Sequence, residues 1–210
     1  MTASLPRRTL LRILGSAGAF LGLVRPAAAA LSPTPPQSTG PFYPPPADRL
    51  TDTDWDLVKV AGRVRAAGGE VMHLSGRVLG GDGAPIAGAL IEIWQCDANG
   101  RYLHSGDVSQ TRPRDPDFQG YGVTRTEAQG RYRFRTILPV EYPGRTPHIH
   151  ARIQRADGSE LITQIYLKDH PLNQRDFLFR RLGGAAQAAA SITPARRDDG
   201  DLEAGFDFVI

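Results

Sequence analysis

Short hydrophobic runs separated by turns rich in Gly, Asp and Asn fill the chain from residue 71 onward. Runs of five to eight residues bounded by such turns are typical of β-strands rather than of helices. We predict strands over residues 72–79, 89–95, 121–125, 130–137, 148–154, 161–167 and 206–210, and a weak helical pattern only over 171–182. This spacing predicts an all-β fold, a β-sandwich with a Greek-key core, long loops and little helix.

The first thirty residues have a different pattern. The pair Arg7 and Arg8 precedes an apolar stretch over 13–24, and four alanines follow at 27–30. A basic region, an apolar stretch and a small-residue cleavage site predict an export signal, and the arginine pair resembles the twin-arginine type. The stretch is shorter than the roughly 20 apolar residues that span a membrane. We expect an exported protein, periplasmic or extracellular, that uses the twin-arginine export machinery; an ordinary secretory signal is the alternative.

Residues 31–70 form a proline-rich segment ahead of the predicted domain at 71–210. Seven prolines lie between positions 33 and 46, and proline favours extended or polyproline structure over helix. We interpret residues 31–70 as an N-terminal arm, either ordered or a linker.

Charge and cysteine content exclude two classes of protein. Four of the 25 basic residues and none of the 22 acidic residues lie in the first thirty positions, so the rest of the chain is nearly neutral. A clustered basic face is expected of nucleic-acid-binding proteins, and we therefore expect no nucleic-acid partner. The single cysteine, Cys96, excludes an intramolecular disulfide framework and is most simply a buried small hydrophobic residue.

Residues 142–150 concentrate the candidate chemistry of the chain. His148 and His150 are separated by one residue, so they point to the same face of a strand and one metal ion could bind both. Tyr142 precedes a Pro-Gly bend that could fold its phenol back toward that metal, and Tyr102 is predicted on a loop at the rim of the sandwich. Two phenolates and two imidazoles favour ferric iron over zinc. The alternative is that both tyrosines only pack on loops.

Eight segments in this order resemble the intradiol ring-cleaving dioxygenases that act on catechols, and within that family the compact subunit of the protocatechuate 3,4-dioxygenase type. They cover most of the chain after residue 38. The segments are 39–44 (TGPFYP), 74–78 (LSGRV), 91–95 (IEIWQ), 100–102 (GRY), 115–120 (DPDFQG), 130–136 (GRYRFRT), 142–150 (YPGRTPHIH) and 163–166 (TQIY).

The resemblance implies a non-haem Fe(III) cofactor and a reaction. The implied iron ligands are Tyr102, Tyr142, His148 and His150, with Tyr142 the ligand that leaves when substrate binds. Arg145 and Gln164 resemble the pair near the bound ring. The implied reaction inserts both atoms of O2 between the two hydroxyl-bearing carbons of a catecholic aromatic, giving a cis,cis-muconate-type diacid.

The resemblance also makes Trp94 a candidate for the wall of the substrate pocket, with a place in the core as the alternative. His104, two residues after Tyr102, is a second pocket candidate, with a solvent-facing position as the alternative. The basic loop around Arg112 and Arg114 could recognise a substrate carboxylate, although an exposed loop is the simpler interpretation. Residues 31–70 are too short and too rich in proline for the helical N-terminal region expected of the enzymes that cleave free catechol. The substrate therefore stays open within the catecholic class, as does assembly into a homo-oligomer or with a second subunit.

Two other functions remain possible from the residues. The strands over 74–95, part of the expected immunoglobulin- or transthyretin-like core, also resemble transthyretin-like and carboxypeptidase-regulatory domains that are used for binding. Fold alone does not fix function. A second possibility is an Fe(II) enzyme in which His148 and His150 join a carboxylate, Asp107 or Asp169, as a facial triad.

Overall fold

The structure is a computed structural model that describes residues 31–108 and 112–210. The predicted export signal at 1–30 lies outside the described residues. Within the described part of the chain, no helix is both long enough and apolar enough to cross a membrane.

The described residues form ten strands, one 3₁₀-helix and two short α-helices. The strands are β1 (Val71–Leu79), β2 (Leu90–Trp94), β3 (Tyr121–Arg125), β4 (Arg131–Ile137), β5 (His148–Gln154), β6 (Glu160–Leu167), β7 (Ser191–Ile192), β8 (Ala195–Arg196), β9 (Leu202–Gly205) and β10 (Phe208–Val209). The 3₁₀-helix spans Pro171–Gln174, and the helices are α1 (Phe177–Leu182) and α2 (Gly184–Ala189).

The strands build two five-stranded mixed sheets. In the first sheet, β1 pairs antiparallel with β4 and parallel with β9 and β10, and β8 pairs with β9. The second sheet has the order β3-β2-β5-β6-β7, antiparallel except for the β6–β7 pair. The predicted all-β sandwich is confirmed.

The core lies between the sheets because alternate residues of each strand point inward. One contiguous apolar cluster takes residues from both sheets, including Met72 and Leu74 of β1, Phe134 of β4 and Ile149 and Ile153 of β5. These five side chains are at most 1% exposed. Their burial is the main source of stability for the sandwich.

The proline-rich segment is packed against both sheets. Backbone N–H groups of Leu31, Thr34 and Gln37 donate to the carbonyl oxygens of Gly81, Val209 and Ile162, which lie in the first sheet or its turns and in β6. The segment therefore joins an edge of the first sheet to β6 of the second sheet. Further along the same segment, Phe42 and Tyr43 lie over the outer face of the second sheet, against Tyr102 and Trp94.

The weak helical pattern over 171–182 is confirmed for Pro171–Gln174 and Phe177–Leu182, with a break between them. The chain leaves the 3₁₀-helix at Arg175, Asp176 takes an extended conformation with ψ 118°, and α1 begins at the next residue. The carboxylate of Asp176 accepts from the backbone N–H groups of Leu178 and Phe179, which caps α1 and ends the earlier turn. The helix α2 and the short strands β7, β8 and β9 lack a strong pattern and were not predicted.

Candidate metal centre

His148 and His150 lie at the start of β5 on the outer face of the second sheet, away from the core cluster. Both are at most 2% exposed. Ile149, which lies between them in sequence, points to the opposite, inner face and belongs to the core cluster. The Nε2 atoms of the two histidines are 3.1 Å apart. The one-residue spacing thus brings two imidazoles together in buried space.

A backbone carbonyl sets the orientation of His148. Its Nδ1 lies 2.7 Å from the oxygen of Thr146, and because a carbonyl oxygen can only accept, Nδ1 carries the proton. Nε2 is then left with its lone pair directed at His150. This tautomer is the one that presents Nε2 to a metal ion.

Tyr102 reaches the histidines from the loop after β2. Its backbone N–H donates to the carboxylate of Asp107 at 2.8 Å, which fixes the loop, and its Oη lies 3.3 Å from Nε2 of His148. Tyr102 is only 2% exposed, so it is buried rather than lying at the rim of the sandwich. The ring of Phe42 stacks on it at a centroid distance of 5.0 Å and closes it from solvent.

Tyr142 is brought back by the turn that the sequence predicts. The N–H of Arg145 donates to the oxygen of Tyr142 at 3.0 Å, and Gly144 has φ 85°, the left-handed value that this position of a Pro-Gly turn needs. The ring of Tyr142 lies 5.7 Å from that of His148 and 5.3 Å from that of Tyr102. The two tyrosines and two histidines therefore form one cluster.

The cluster fits a single metal ion. Oη of Tyr102 and Nε2 of both histidines meet in buried space, and Nδ1 of His150 has no hydrogen-bond partner in the described part of the chain. Phenol oxygens and imidazole nitrogens form a hard donor set suited to iron. Tyr142 stands beside these atoms and completes the four residues.

Burial controls protonation in this cluster. It lowers the pKa of His148 to about 4, with the Arg145 guanidinium adding to the effect, and it lowers the pKa of His150 well below the usual range. Both imidazoles are therefore neutral at neutral pH, the form that binds metal. Burial also raises the pKa of Tyr102 far above its ordinary value, so its phenol ionises only when a cation lies close.

The facial-triad alternative is contradicted within residues 31–108 and 112–210. No group of three or more His, Cys, Asp and Glu in those ranges is arranged to hold a metal ion. The carboxylate of Asp107 is engaged by the backbone of Tyr102 and by Arg101, and Asp169 lies on an exposed turn with φ 56°. Neither carboxylate joins His148 and His150.

Arg145 and Gln164 lie beside the cluster and contact each other. Nη2 of Arg145 donates to Oε1 of Gln164 at 2.7 Å, and Nε of Arg145 donates to Oδ2 of Asp176 at 2.7 Å. Arg145 is 9% exposed, and Gln164 and Asp176 are at most 1% exposed. The guanidinium is therefore held on two sides in a nearly buried position.

Asp176 is the functional residue that the sequence reasoning missed. Burial alone would raise its pKa, but hydrogen bonds from the N–H groups of Phe179 and Thr146 and from Arg145 outweigh burial and lower the pKa. The carboxylate is thus charged and pairs with Arg145. The signal for it was an Asp immediately before an apolar run, the pattern of a helix N-cap.

A cavity of about 530 Å³ opens beside Tyr142 and Arg145. Asp176, Arg175 and Arg112 also line it, so the predicted basic loop contributes one exposed arginine to its wall. The volume lies in the range of small-molecule sites, roughly 300–1,000 Å³. The cavity borders the cluster at Tyr142, whereas Tyr102, His148 and His150 do not line it.

The prediction that Trp94 and His104 line a pocket is corrected by the structure. Trp94 is fully buried and stacks on His150, with ring centroids 4.9 Å apart and planes at 6°. It supports the histidine from behind and does not reach the cavity. His104 lies on the far side of Phe42 at a ring distance of 5.7 Å, where its Nδ1 accepts from the N–H of Gly106.

Comparison with known proteins identifies the family. A family model described as Dioxygenase matches residues 39–210. The beta chain of protocatechuate 3,4-dioxygenase from Burkholderia cepacia is 40% identical over 149 residues, which cover 67% of this chain and 63% of that one. The chain belongs to the intradiol dioxygenase family.

One solved structure agrees with the family assignment, and a second shares the fold. The dioxygenase domain of a dioxygenase–carbohydrate-binding protein fusion from the cellulolytic bacterium Streptomyces sp. SirexAA-E has a TM-score of 0.65 and 30% identity, and the match covers 85% of this chain and 98% of that domain. An intradiol ring-cleavage dioxygenase from Tetranychus urticae shares the fold, with a TM-score of 0.64, 24% identity, and coverage of 86% of this chain and 95% of that one. The match spans less than two thirds of the length of these sequence relatives.

Proposed function

We propose that this intradiol dioxygenase family member binds non-haem Fe(III) through Tyr102, Tyr142, His148 and His150. One observation carries the proposal: Oη of Tyr102 lies 3.3 Å, and Nε2 of His150 lies 3.1 Å, from Nε2 of His148. Family membership supports the same cofactor.

The proposed reaction is the cleavage of a catecholic aromatic by O2 between its two hydroxyl-bearing carbons, giving a cis,cis-muconate-type diacid. Sequence relatives named as dioxygenases of protocatechuate, hydroxyquinol and catechol support a substrate of this class. A ferric ion in the cluster would let both substrate oxygens bind as anions, and it would make the aromatic ring reactive toward O2.

The residues around the cluster have separate tasks in this reaction. Arg145 lines the cavity and places a fixed positive charge where a bound catecholate carries negative charge, which is preorganised electrostatic stabilisation. Tyr142 borders the same cavity, and burial raises the pKa of its phenol. As the tyrosinate that a ferric ion would hold, it could accept a proton from an entering catechol hydroxyl. The burial of Tyr102 and both histidines keeps water from the other side of the cluster.

The test is a visible absorption spectrum of the purified, iron-loaded protein, before and after a simple catechol is added without O2. Fe(III)-tyrosinate gives a broad mid-visible band, and we expect catechol to shift it to longer wavelength. Tyr102→Phe should weaken the band, whereas Tyr132→Phe, a buried tyrosine of β4 that donates to the oxygen of Phe206, should leave it intact. A protein that stays colourless with ferric iron would overturn the proposal and favour a binding module.

We also propose export by the twin-arginine route. The support is the sequence of the first thirty residues: the Arg7–Arg8 pair, the apolar stretch over 13–24 and the alanines at 27–30. A double Arg7→Lys, Arg8→Lys variant should remain in the cytoplasm, whereas the unchanged chain should be recovered from the periplasm or the medium. Export of both forms alike would favour an ordinary secretory signal.

Assembly with copies of itself or with a second subunit is part of the same proposal. A relative named as a beta chain supports it. Light scattering on the purified chain, alone and with the products of neighbouring genes, would measure the assembly, and a stable active monomer would overturn it.

A further inference from the structure

Gln37 of the N-terminal arm reaches the back of the candidate metal centre through its side chain. Its Oε1 accepts from the hydroxyl of Tyr166 at 2.7 Å, and its Nε2 donates to Oγ1 of Thr163 at 3.1 Å and to the backbone oxygen of Gln164 at 2.9 Å. Tyr166 and Gln164 are fully buried on β6. The side chain of a residue far away in sequence thus makes three hydrogen bonds to β6.

The Tyr166 hydroxyl has two acceptors for one proton. Oε1 of Gln37 lies at 2.7 Å and Oε1 of Gln164 at 3.1 Å, so the shorter contact takes the larger share of the proton. Oε1 of Gln164 has two lone pairs, so it accepts from Tyr166 and, at 2.7 Å, from Nη2 of Arg145 at the same time. Gln37 fixes the Tyr166 hydroxyl, and that hydroxyl in turn helps to hold the Gln164 oxygen in place.

The arm also fixes which way the Gln164 amide faces. Its Nε2 donates to the backbone oxygen of Ser38 at 3.1 Å, while its Oε1 faces Arg145 and Tyr166. A flipped amide would turn an NH2 group toward the guanidinium, where both sides are donors. Residues 37 and 38 of the arm thus hold the amide in the orientation that accepts from Arg145.

The orientation of Arg145 depends on this amide and on Asp176. A guanidinium has five N–H donors, and the bonds to Asp176 and Gln164 use two of them. With both bonds made, the group cannot rotate, and its remaining donors lie beside Tyr142 at the cavity. Loss of the Gln164 bond removes one of these two constraints on Arg145.

We propose that Gln37 is a positioning residue: through Tyr166 and Gln164 it fixes the guanidinium of Arg145 at the cavity. This inference rests on the proposed function, in which Arg145 stabilises negative charge on the bound substrate. Such stabilisation requires a charge placed in advance. The N-terminal arm is then part of the site and not only of the scaffold.

Kinetics of three variants test the proposal, with rates normalised to bound iron. Gln37→Leu and Tyr166→Phe should each lower kcat by roughly tenfold with a smaller change in KM, because the lost contact acts after binding. The double variant should fall no further than the single ones, since both act through one chain of contacts. The matched control is Thr34→Val, which removes another buried hydrogen bond of the arm, from the N–H of Val209 to Oγ1 of Thr34 at 2.9 Å; its kcat should stay within about twofold of the unchanged chain.

The kinetic test has a clear contrary result. If Thr34→Val lowers kcat as much as Gln37→Leu, only docking of the arm matters and the positioning role is overturned. Additive losses in the double variant, or a Gln37→Leu rate within twofold of the unchanged chain, overturn it as well.

A second readout needs neither iron nor turnover. In the metal-free protein, the Nε–H resonance of Arg145 can be assigned by its loss in Arg145→Lys, and its exchange with solvent can be measured by NMR. Gln37→Leu and Tyr166→Phe should accelerate this exchange and Thr34→Val should not; equal rates in all four proteins would overturn the proposal. If the unchanged chain lacks iron and turnover, the proposed function fails, while the exchange rates still decide whether Gln37 positions Arg145.

Discussion

The two faces of the second sheet are equally buried and chemically opposite. On the inner face, Ile149, Ala151 and Ile153 of β5 pack into the apolar core. On the outer face of the same strand, His148 and His150 are just as buried but lie among phenols, an indole and a guanidinium. Burial alone therefore does not distinguish the structural face from the functional one.

The difference lies in what covers each face. The first sheet covers the inner face with apolar side chains, which need no directed contacts. The arm and the loops cover the outer face with polar groups that must be paired: Glu92, for example, accepts from Tyr121 and, at 3.0 Å, from Tyr43 of the arm region. Stability should therefore depend mainly on the inner face, and chemistry on the outer face.

Replacing one residue on each face of β5 should separate these roles most clearly. His150→Ala removes a proposed iron ligand, and we expect kcat to fall by roughly 100-fold or more together with iron content. Steady-state kinetics and iron analysis measure both.

The matched change on the inner face is Ile153→Ala. Removing these buried methyl groups should lower the free energy of unfolding by about 2–5 kcal/mol while the visible band of the folded protein is kept. A loss of the band in Ile153→Ala at full folding, or full activity in His150→Ala, would contradict the division between the faces.

Asp176→Asn should give the next largest effect, because it leaves Arg145 charged and nearly buried without its carboxylate. Breaking such a pair costs about 3–5 kcal/mol in unfolding free energy, measured by urea denaturation. Since the pKa of Asp176 is lowered from 3.8, the contribution of the ion pair is present above that value and is lost as the pH falls below it. The difference in unfolding free energy between the unchanged chain and Asp176→Asn should therefore become smaller under acid conditions.

Asp207→Asn is the control on the exposed surface. Asp207 pairs with Arg77 at 3.0 Å, with both side chains at least 40% exposed, and such pairs contribute about 0–1 kcal/mol. Equal destabilisation by the two substitutions would mean that the buried Asp176–Arg145 pair contributes no more to stability than the exposed Asp207–Arg77 pair.

Gly40→Ala tests how closely the arm approaches the cluster. Gly40 has φ 75°, and a Cβ there would lie 3.1 Å from Cε1 of His150. Gly62→Ala is the matched control, with φ 79° and nothing within 4 Å of a Cβ. Both should lose about 1–2 kcal/mol from backbone strain, but only Gly40→Ala should also shift the visible band; identical spectra would show that the contact is relaxed.

The rate of Cys96 alkylation is the smallest expected effect. It reports how often the outer layer opens, that is, the arm and loops that cover the outer face of the second sheet. It is 1% exposed and packs in the cluster of Trp94 and Tyr102. Burial, followed by the nearby Asp97, raises its pKa to about 12. Alkylation at pH 8 should therefore be very slow in the folded protein and complete in urea. Rapid alkylation of the native protein would indicate that the outer layer opens more often than the core.

The local parts of the candidate site could be predicted from the sequence. His148 and His150 share a face because a strand has a period of two, and the Pro-Gly turn returns Tyr142 to them because Gly144 can adopt a positive φ. The strands that carry the site were predicted for the same local reasons. Cys96 is buried and free, as expected.

The parts that depend on distant contacts could not be predicted. Tyr102 is buried because Phe42 of the arm covers it, and Trp94 faces His150 because β2 pairs with β5 in a register that places them opposite each other. The role of Asp176 required knowing that Arg145 packs beside the start of α1. None of these pairings leaves a periodic signal in the chain.

The docking of the arm also orders the steps of folding during synthesis. Thr34 and Gln37 emerge early from the ribosome, but the backbone oxygens that their N–H groups need belong to Val209 and Ile162. A contact that spans 175 residues forms only when nearly the whole chain is available. The arm, although it is made before the strands on which it docks, is thus among the last segments to be placed.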